Sequence, residues 1–217
     1  MKQHEKIASL EEDSDQIVFV IDDDESMRVA LTHLFRSVNL HVEVFSTATA
    51  FLENELPNIP SCLVLDIRLP GMNGLQFQDV LARAGIRIPI VFMTGHGDIP
   101  MSVKAMKAGA VDFLPKPFRD QDMLDALIRA LDQDRERRDE EKTVIQLGQL
   151  FESLTRRERE VLTLVISGLM NKQIAHRLEI SEITVKIHRG HMMKKMEARS
   201  LADLVRMAEM LGIKRTN

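Results

Sequence analysis

The sequence predicts two folds in one chain: a doubly wound α/β domain over residues 16–131 and a small all-helical domain over residues 153–213. Three observations carry this. Five short apolar runs, rich in β-branched residues, alternate with helix-period segments through the first two thirds, the pattern of a parallel sheet covered on both faces. After residue 131 such runs stop, and capped amphipathic helices follow. Charge divides at the same place. Residues 151–217 hold 13 Lys and Arg against 8 Asp and Glu, a net of +5, whereas residues 1–150 carry −9. A basic third attached to an acidic two thirds points to nucleic acid at the C-terminal end.

The elements follow in order. The five strands are IVFVI (17–21), HVEVF (41–45), CLVLDI (62–67), IPIVFMT (88–94) and VDFLP (111–115). Between them lie helix-period sets such as Leu31, Leu34, Phe35 and Val38, or Val103, Met106 and Lys107 ended by Gly109. Gly85 and Gly109 each follow a helix and precede a strand, which predicts left-handed caps. From Asp132 to Thr143 no residue is apolar, and opposite charges recur four apart, as in Asp134 with Arg138. With no Gly or Pro before Gly148, residues 132–152 read as a charged helical linker. Then come four helices. TRRE (155–158) is a capping box, and Asn171, Ser181 and Ser200 stand as caps for the next three. Only Glu179 and Ile180 separate the second from the third, a helix-turn-helix spacing.

Other readings set limits. Residues 1–15 are polar and acidic, which predicts a frayed tail rather than a signal peptide. No apolar run approaches the ~20 residues of a membrane helix. Cys62 stands alone within an apolar run and reads as a core residue of a reducing, cytoplasmic protein.

Sites in open α/β sheets form outside the carboxyl ends of the strands. Here the first strand ends in Asp22, Asp23 and Asp24, the third in Asp66, the fourth in Thr94, and Lys116 follows the fifth. Three acidic positions, a hydroxyl and an ammonium describe a site for a hard divalent cation with phosphate-binding groups beside it. Without a cation, adjacent carboxylates raise one another's pKa and cost stability. Asp24 reads as the start of the first helix, where an anion suits the helix dipole.

These motifs carry a resemblance. Residues 16–131 resemble the receiver domain of two-component response regulators, through IDDDESMR (21–28), LVLDIRLPGMNG (63–74) and MTGHGDIPMSVKAMKAGAVDFLPKPF (93–118). Residues 153–213 resemble a LuxR-type DNA-binding domain, through LTRREREVL, GLMNKQIAHRL, TVKIHR, KKM and RSLADLV. The arrangement is similar to the FixJ subfamily and to regulators of styrene and toluene degradation. The resemblance implies a flavodoxin-like strand order 2-1-3-4-5 with five helices, followed by a four-helix helix-turn-helix domain. It implies Asp66 as phosphoacceptor and Mg²⁺ (or Mn²⁺) held by Asp22, Asp23, Asp66 and the Arg68 backbone carbonyl. It further implies Thr94 and Phe113 as switch residues, Lys116 as the charge-neutralising cation, and a cis bond from Lys116 to Pro117. Phe113 lacks the hydroxyl that many receivers carry at this position. Arg68 and His96 flank the site, where side chains govern access of hydrolytic water.

On the output side, residues 181–196 are the expected recognition helix. Val185, His188, Met192 and Met196 fall on its core face; Thr184, Lys186, Ile187, Arg189 and Gly190 fall on the other. Lys186 is the candidate for a base edge, Arg189 for a base edge or phosphate, and Asn171 and Lys172 for phosphates at a helix N-terminus. The partners implied are a sensor histidine kinase, promoter DNA, RNA polymerase, and a second copy through the 98–118 face after phosphorylation. No enzyme activity is expected beyond phosphotransfer on the chain itself. A haloacid-dehalogenase-type phosphatase would need an aspartate two residues after Asp66, where this sequence has Arg68.

Overall fold

The structure, a computed structural model, describes residues 16–95 and 99–214. The tail at 1–15 and His96 lie outside the described residues. The chain forms two compact units, divided after Arg138.

The first unit is a five-stranded parallel sheet ordered β2-β1-β3-β4-β5, as the resemblance implies. The strands are β1 (Ile17–Ile21), β2 (His41–Phe45), β3 (Ser61–Asp66), β4 (Ile90–Thr94) and β5 (Asp112–Pro115), with helices α1 (Glu25–Arg36), α2 (Ala48–Leu52), α3 (Gly74–Arg83) and α4 (Ile99–Lys107) between them. Strand alternation builds two cores. Val18, Val20, Cys62, Val64, Val91 and Met93 face one side with Leu31, Phe35 and Leu127. Phe19, Leu63, Leu65, Ile90 and Phe92 face the other with Phe51, Phe77 and Leu81. Because both faces are covered, β1, β3 and β4 are buried throughout, while the edge strand β2 is mostly exposed. Phe51 on α2 stands edge-on to Phe19, Phe45 and Phe77, with ring centroids 5.4, 5.5 and 6.0 Å away. These T-shaped pairs fix the short helix to the sheet. Gly109 ends α4 at φ +92°, where a side chain would be strained.

Helix α5 runs unbroken from Asp120 to Glu152. Its apolar-free part is not simply a solvated face. Asp134 is completely buried, accepting from Arg137 (2.5 Å), Arg138 (2.6 Å) and the amide of Ser61 that opens β3 (3.0 Å). Arg138 also reaches Asn58 Oδ1 at 2.7 Å. The receiver-side packing of α5 therefore continues past residue 131, through Arg138.

The second unit holds α6 (Arg156–Ile166), α7 (Asn171–Leu178), α8 (Glu182–Lys195) and α9 (Leu201–Met210) around a core of Leu162, Val165, Ile174, Val185, Met192, Met196 and Leu204. The capping box at Thr155 forms, and its Glu158 does more than cap. Glu158 is buried and accepts from the Thr155 amide (2.8 Å) and from Lys195 Nζ at the end of α8 (2.7 Å). One carboxylate thus ties the start of α6 to the end of α8. Burial opposes its charge, but these hydrogen bonds outweigh burial and hold its pKa below the ordinary value. Asn171 does not cap α7: Met170 occupies that position, and Gln173 reaches back to the Met170 amide at 2.8 Å. A glutamine in the first turn suffices to satisfy the free amide, which releases Asn171 for another contact. Glu179 takes the left-handed conformation in the tight turn, φ 55°.

Candidate functional site

The sheet order brings the predicted acids and the lysine to one crevice. Asp22 follows β1, which lies between β2 and β3, and its amide is fixed to the Phe45 carbonyl. Asp66 ends β3, beside it. Lys116 follows β5, where its amide donates to the Thr94 carbonyl at 2.6 Å and its bond to Pro117 is cis. Its ammonium crosses the strand ends and bridges Asp22 Oδ2 at 2.6 Å and Asp66 Oδ2 at 2.7 Å. The other oxygen of each acid is also held: Asp22 Oδ1 accepts from the Asp24 amide and Asp66 Oδ1 from the Arg68 amide, both at 2.9 Å.

Asp22, Asp23 and Asp66 place carboxylate oxygens within 4.8 Å of one another. Asp22 and Asp66 are buried and Asp23 is exposed. Burial raises the Asp22 pKa above its ordinary value, and the neighbouring Asp66 charge adds to the rise; Lys116 and the Asp24 amide pull the other way. Burial also works against the Lys116 ammonium, but hydrogen bonds to both carboxylates outweigh it and raise that pKa. Three carboxylates against one ammonium leave net negative charge in a crevice of oxygen donors, a set that suits Mg²⁺.

Thr94 is buried at the end of β4, and Phe113 is half-buried against the core cluster of Phe92 and Ala105. Arg68 is exposed and forms a lone antiparallel bridge to Asn73. Asp24 has a different task from its two neighbours: it caps α1 by accepting from the Ser26 amide at 2.8 Å.

Two contributors were not singled out by the sequence reading. Arg28, one turn into α1, donates to the Asp22 carbonyl at 2.7 Å and so fixes the loop after β1. Gly74 opens α3 where it passes the end of β3. A Cβ there would stand 2.7 Å from the Asp66 carbonyl oxygen and 3.0 Å from Ile67 Cα, so no larger residue fits without moving the Asp66 backbone. Both lie inside the quoted motifs, but neither need is visible from residue type alone.

In the second unit, Val185, Met192 and Met196 are buried as expected, and His188 is half-buried. Lys186, Ile187 and Gly190 are exposed, as is Lys172 in the first turn of α7. Thr184 is engaged at the cap of α8, its hydroxyl 2.8 Å from Ser181 Oγ. Arg189 is tied back to Asn171 Oδ1 at 3.1 Å, which joins α7 to α8. The exposed set is thus Lys172, Lys186, Ile187 and Gly190, while Asn171 and Arg189 hold each other.

A parallel 2-1-3-4-5 sheet with this acidic crevice, followed by a helix-turn-helix, defines a phosphorylation-responsive regulator that binds DNA. The response regulator receiver domain family matches residues 18–128, and the luxR family of bacterial regulatory proteins matches residues 152–208. The chain belongs to the two-component response regulators of the FixJ type, a receiver domain joined to a LuxR-type DNA-binding domain.

Among its relatives, nodulation protein W of Bradyrhizobium diazoefficiens is 61% identical over 91% of this chain and 87% of its own length. The response regulator TmoT of Ectopseudomonas mendocina is 47% identical over 92% and 90%. The solved structure of the response regulator StyR is 54% identical, covers 90% of this chain and 98% of its own, and superposes with a TM-score of 0.79. Among the described residues no helix is long and apolar enough to cross a membrane.

Proposed function

We propose that this response regulator takes a phosphoryl group onto Asp66 from the phosphohistidine of a sensor kinase, and that the modified form dimerises and activates transcription from promoter DNA bound through α8. The observation that carries the reading is the Lys116 ammonium, bridged between Asp22 and Asp66 beside an exposed Asp23. In the transfer, a carboxylate oxygen of Asp66 bonds to phosphorus as the phosphorus–nitrogen bond breaks, and the histidine nitrogen keeps the electron pair. Asp22, Asp23, Asp66 and the Arg68 carbonyl are the groups that would hold Mg²⁺ (or Mn²⁺). The cation supplies neutralisation of charge on the transferring oxygens. Lys116 supplies the same from the protein, and the amides of Asp24 and Arg68 keep the carboxylates in place.

Coupling to output runs through Thr94 and Phe113. The phosphoryl group offers new acceptor oxygens to the Thr94 hydroxyl, and movement of Thr94 lets Phe113 repack. Phe113 lies on β5, which contacts α4, and Val103 and Met106 on α4 are exposed apolar residues suited to a second copy. Two helix-turn-helix units then engage two half-sites and recruit RNA polymerase. Sedimentation with and without beryllofluoride, an acyl-phosphate mimic, tests this. A shift from monomer to dimer at micromolar concentration together with tighter DNA binding is expected, and an activated protein that stays monomeric sinks the dimer route.

On DNA, Lys186 and Lys172 should fail in different ways. Lys186→Ala costs about 1–3 kcal/mol on the specific site and relaxes discrimination at one base pair, because a lysine reads a guanine edge. Lys172→Ala weakens all sequences alike and reduces the salt slope by about one, because a phosphate contact only releases a counterion. Salt-titrated binding of both variants to operator and random duplexes separates them. Equal losses on both DNAs would mean that α8 is not the reading helix.

A further inference from the structure

Four residues of α8 share one exposed stripe. Ile183, Lys186, Ile187 and Gly190 follow the i, i+3, i+4, i+7 spacing of a single helix face, and all are open to solvent. The opposite face, with Val185, Met192 and Met196, is fully buried. Ile183 is 74% exposed and Ile187 52%. Nothing in the fold uses these two side chains, and β-branched residues lower helix propensity, so stability does not account for them. Together with Lys186 they make an apolar ridge interrupted by a cation. The ridge ends at Gly190, where nothing lies within 4 Å of the position a Cβ would take, so a partner surface can come close to the backbone. The neighbouring polar side chains are held elsewhere, Thr184 by Ser181 and Arg189 by Asn171.

We infer that Ile183 and Ile187 are specificity-determining residues that pack against the C5-methyl groups of two thymines in the major groove, beside the base edge met by Lys186. The inference rests on the reading that α8 enters that groove. Of the four bases only thymine presents a methyl group there, and an apolar side chain is its natural partner. Lys186, on the same stripe, supplies the charge that draws the ridge to DNA rather than to an apolar protein surface. The two isoleucines are four residues apart, about 6 Å along the helix. Stacked base pairs rise about 3.4 Å each. The two thymines of a half-site therefore lie within a few base pairs of each other.

The test uses the full chain activated with beryllofluoride and a duplex that it selects from a random-sequence library. Each thymine of the selected site is replaced singly by deoxyuridine, which removes the methyl and nothing else. Affinity should fall about fourfold at each of two positions per half-site, the worth of one buried methyl-sized group, and stay unchanged elsewhere. In Ile183→Ala the loss at one position disappears, and in Ile187→Ala the loss at the other. Both variants should melt with wild type, since the truncated groups are exposed. A selected site insensitive to uracil, or a sensitivity that survives both truncations, overturns the inference. Lys186→Ala, measured in parallel, assigns the failure. If it relaxes discrimination while uracil has no effect, α8 lies in the groove and the isoleucines face another partner, such as a protein surface. If it leaves discrimination intact, the groove reading falls and the inference with it.

Discussion

Asp23→Asn should abolish phosphoryl labelling of Asp66 by acetyl phosphate in Mg²⁺, lowering the rate at least about a hundredfold. Asp22 is already bonded through both oxygens, to Lys116 and the Asp24 amide, and Asp66 is the proposed phosphoacceptor. Asp23 is the exposed member of the cluster and the carboxylate most open to a cation. Loss of groups that merely orient metal ligands costs 10–100-fold, and loss of a charged ligand costs more. Asp24→Asn is the matched control. It removes a charge one residue away, yet asparagine caps a helix as well as aspartate does, so the bond from the Ser26 amide survives and labelling should stay near wild type. Intact-mass spectrometry over a time course reads both. An Asp23→Asn protein that labels at the wild-type rate, or an Asp24→Asn protein equally impaired, would remove the assignment of Asp23 to the cation site.

Asp134→Ala should destabilise the first unit by about 2–3 kcal/mol, a fall of roughly 10 °C in its melting temperature. The substitution leaves the buried Ser61 amide without its acceptor and strips Arg137 and Arg138 of their shared carboxylate. Both guanidinium groups keep partial access to water, which places the cost below that of a fully buried orphan charge. Asp132, two residues earlier, pairs with Arg135 on the surface at 2.9 Å, and Asp132→Ala should change stability by less than about 0.5 kcal/mol. Thermal melts of the two variants distinguish a buried anchor from a solvated charge pair. Equal, small shifts would show that the Asp134 cluster holds nothing.

The strands and the crevice were legible because each leaves a periodic or positional mark, whereas the strand order came only through the family resemblance. Apolar runs at strand spacing locate β1 to β5, and the residues just after them are the site. Asp134 left no such mark. It sits in a stretch with no apolar residue, and its burial depends on two arginines folding over it and on an amide 73 residues away. Its pairing with Arg138 was visible in the sequence, but the depth was not. Asn171 was misplaced as a cap because a cap-type residue at a helix start is a strong local signal, whereas Gln173 reaching back to Met170 satisfies the same amide. Gly74 shows the opposite limit: its need arises only when α3 passes close to the end of β3, a tertiary fact.

Because β1 lies between β2 and β3, three neighbouring strands are present when the ribosome has made residue 66, and strand pairing can start from the first third of the chain. The crevice is assembled on a different schedule. Its carboxylates emerge in the order Asp22, Asp23, Asp66, while the ammonium that bridges two of them is residue 116, after the last strand. A nascent sheet lacking β5 therefore carries mutually repelling acids at its strand ends without the ammonium that bridges them. Docking of β5 relieves that repulsion and covers the open edge of β4 in one event. The last strand of the sheet thus closes its edge and delivers the ammonium that bridges the acids.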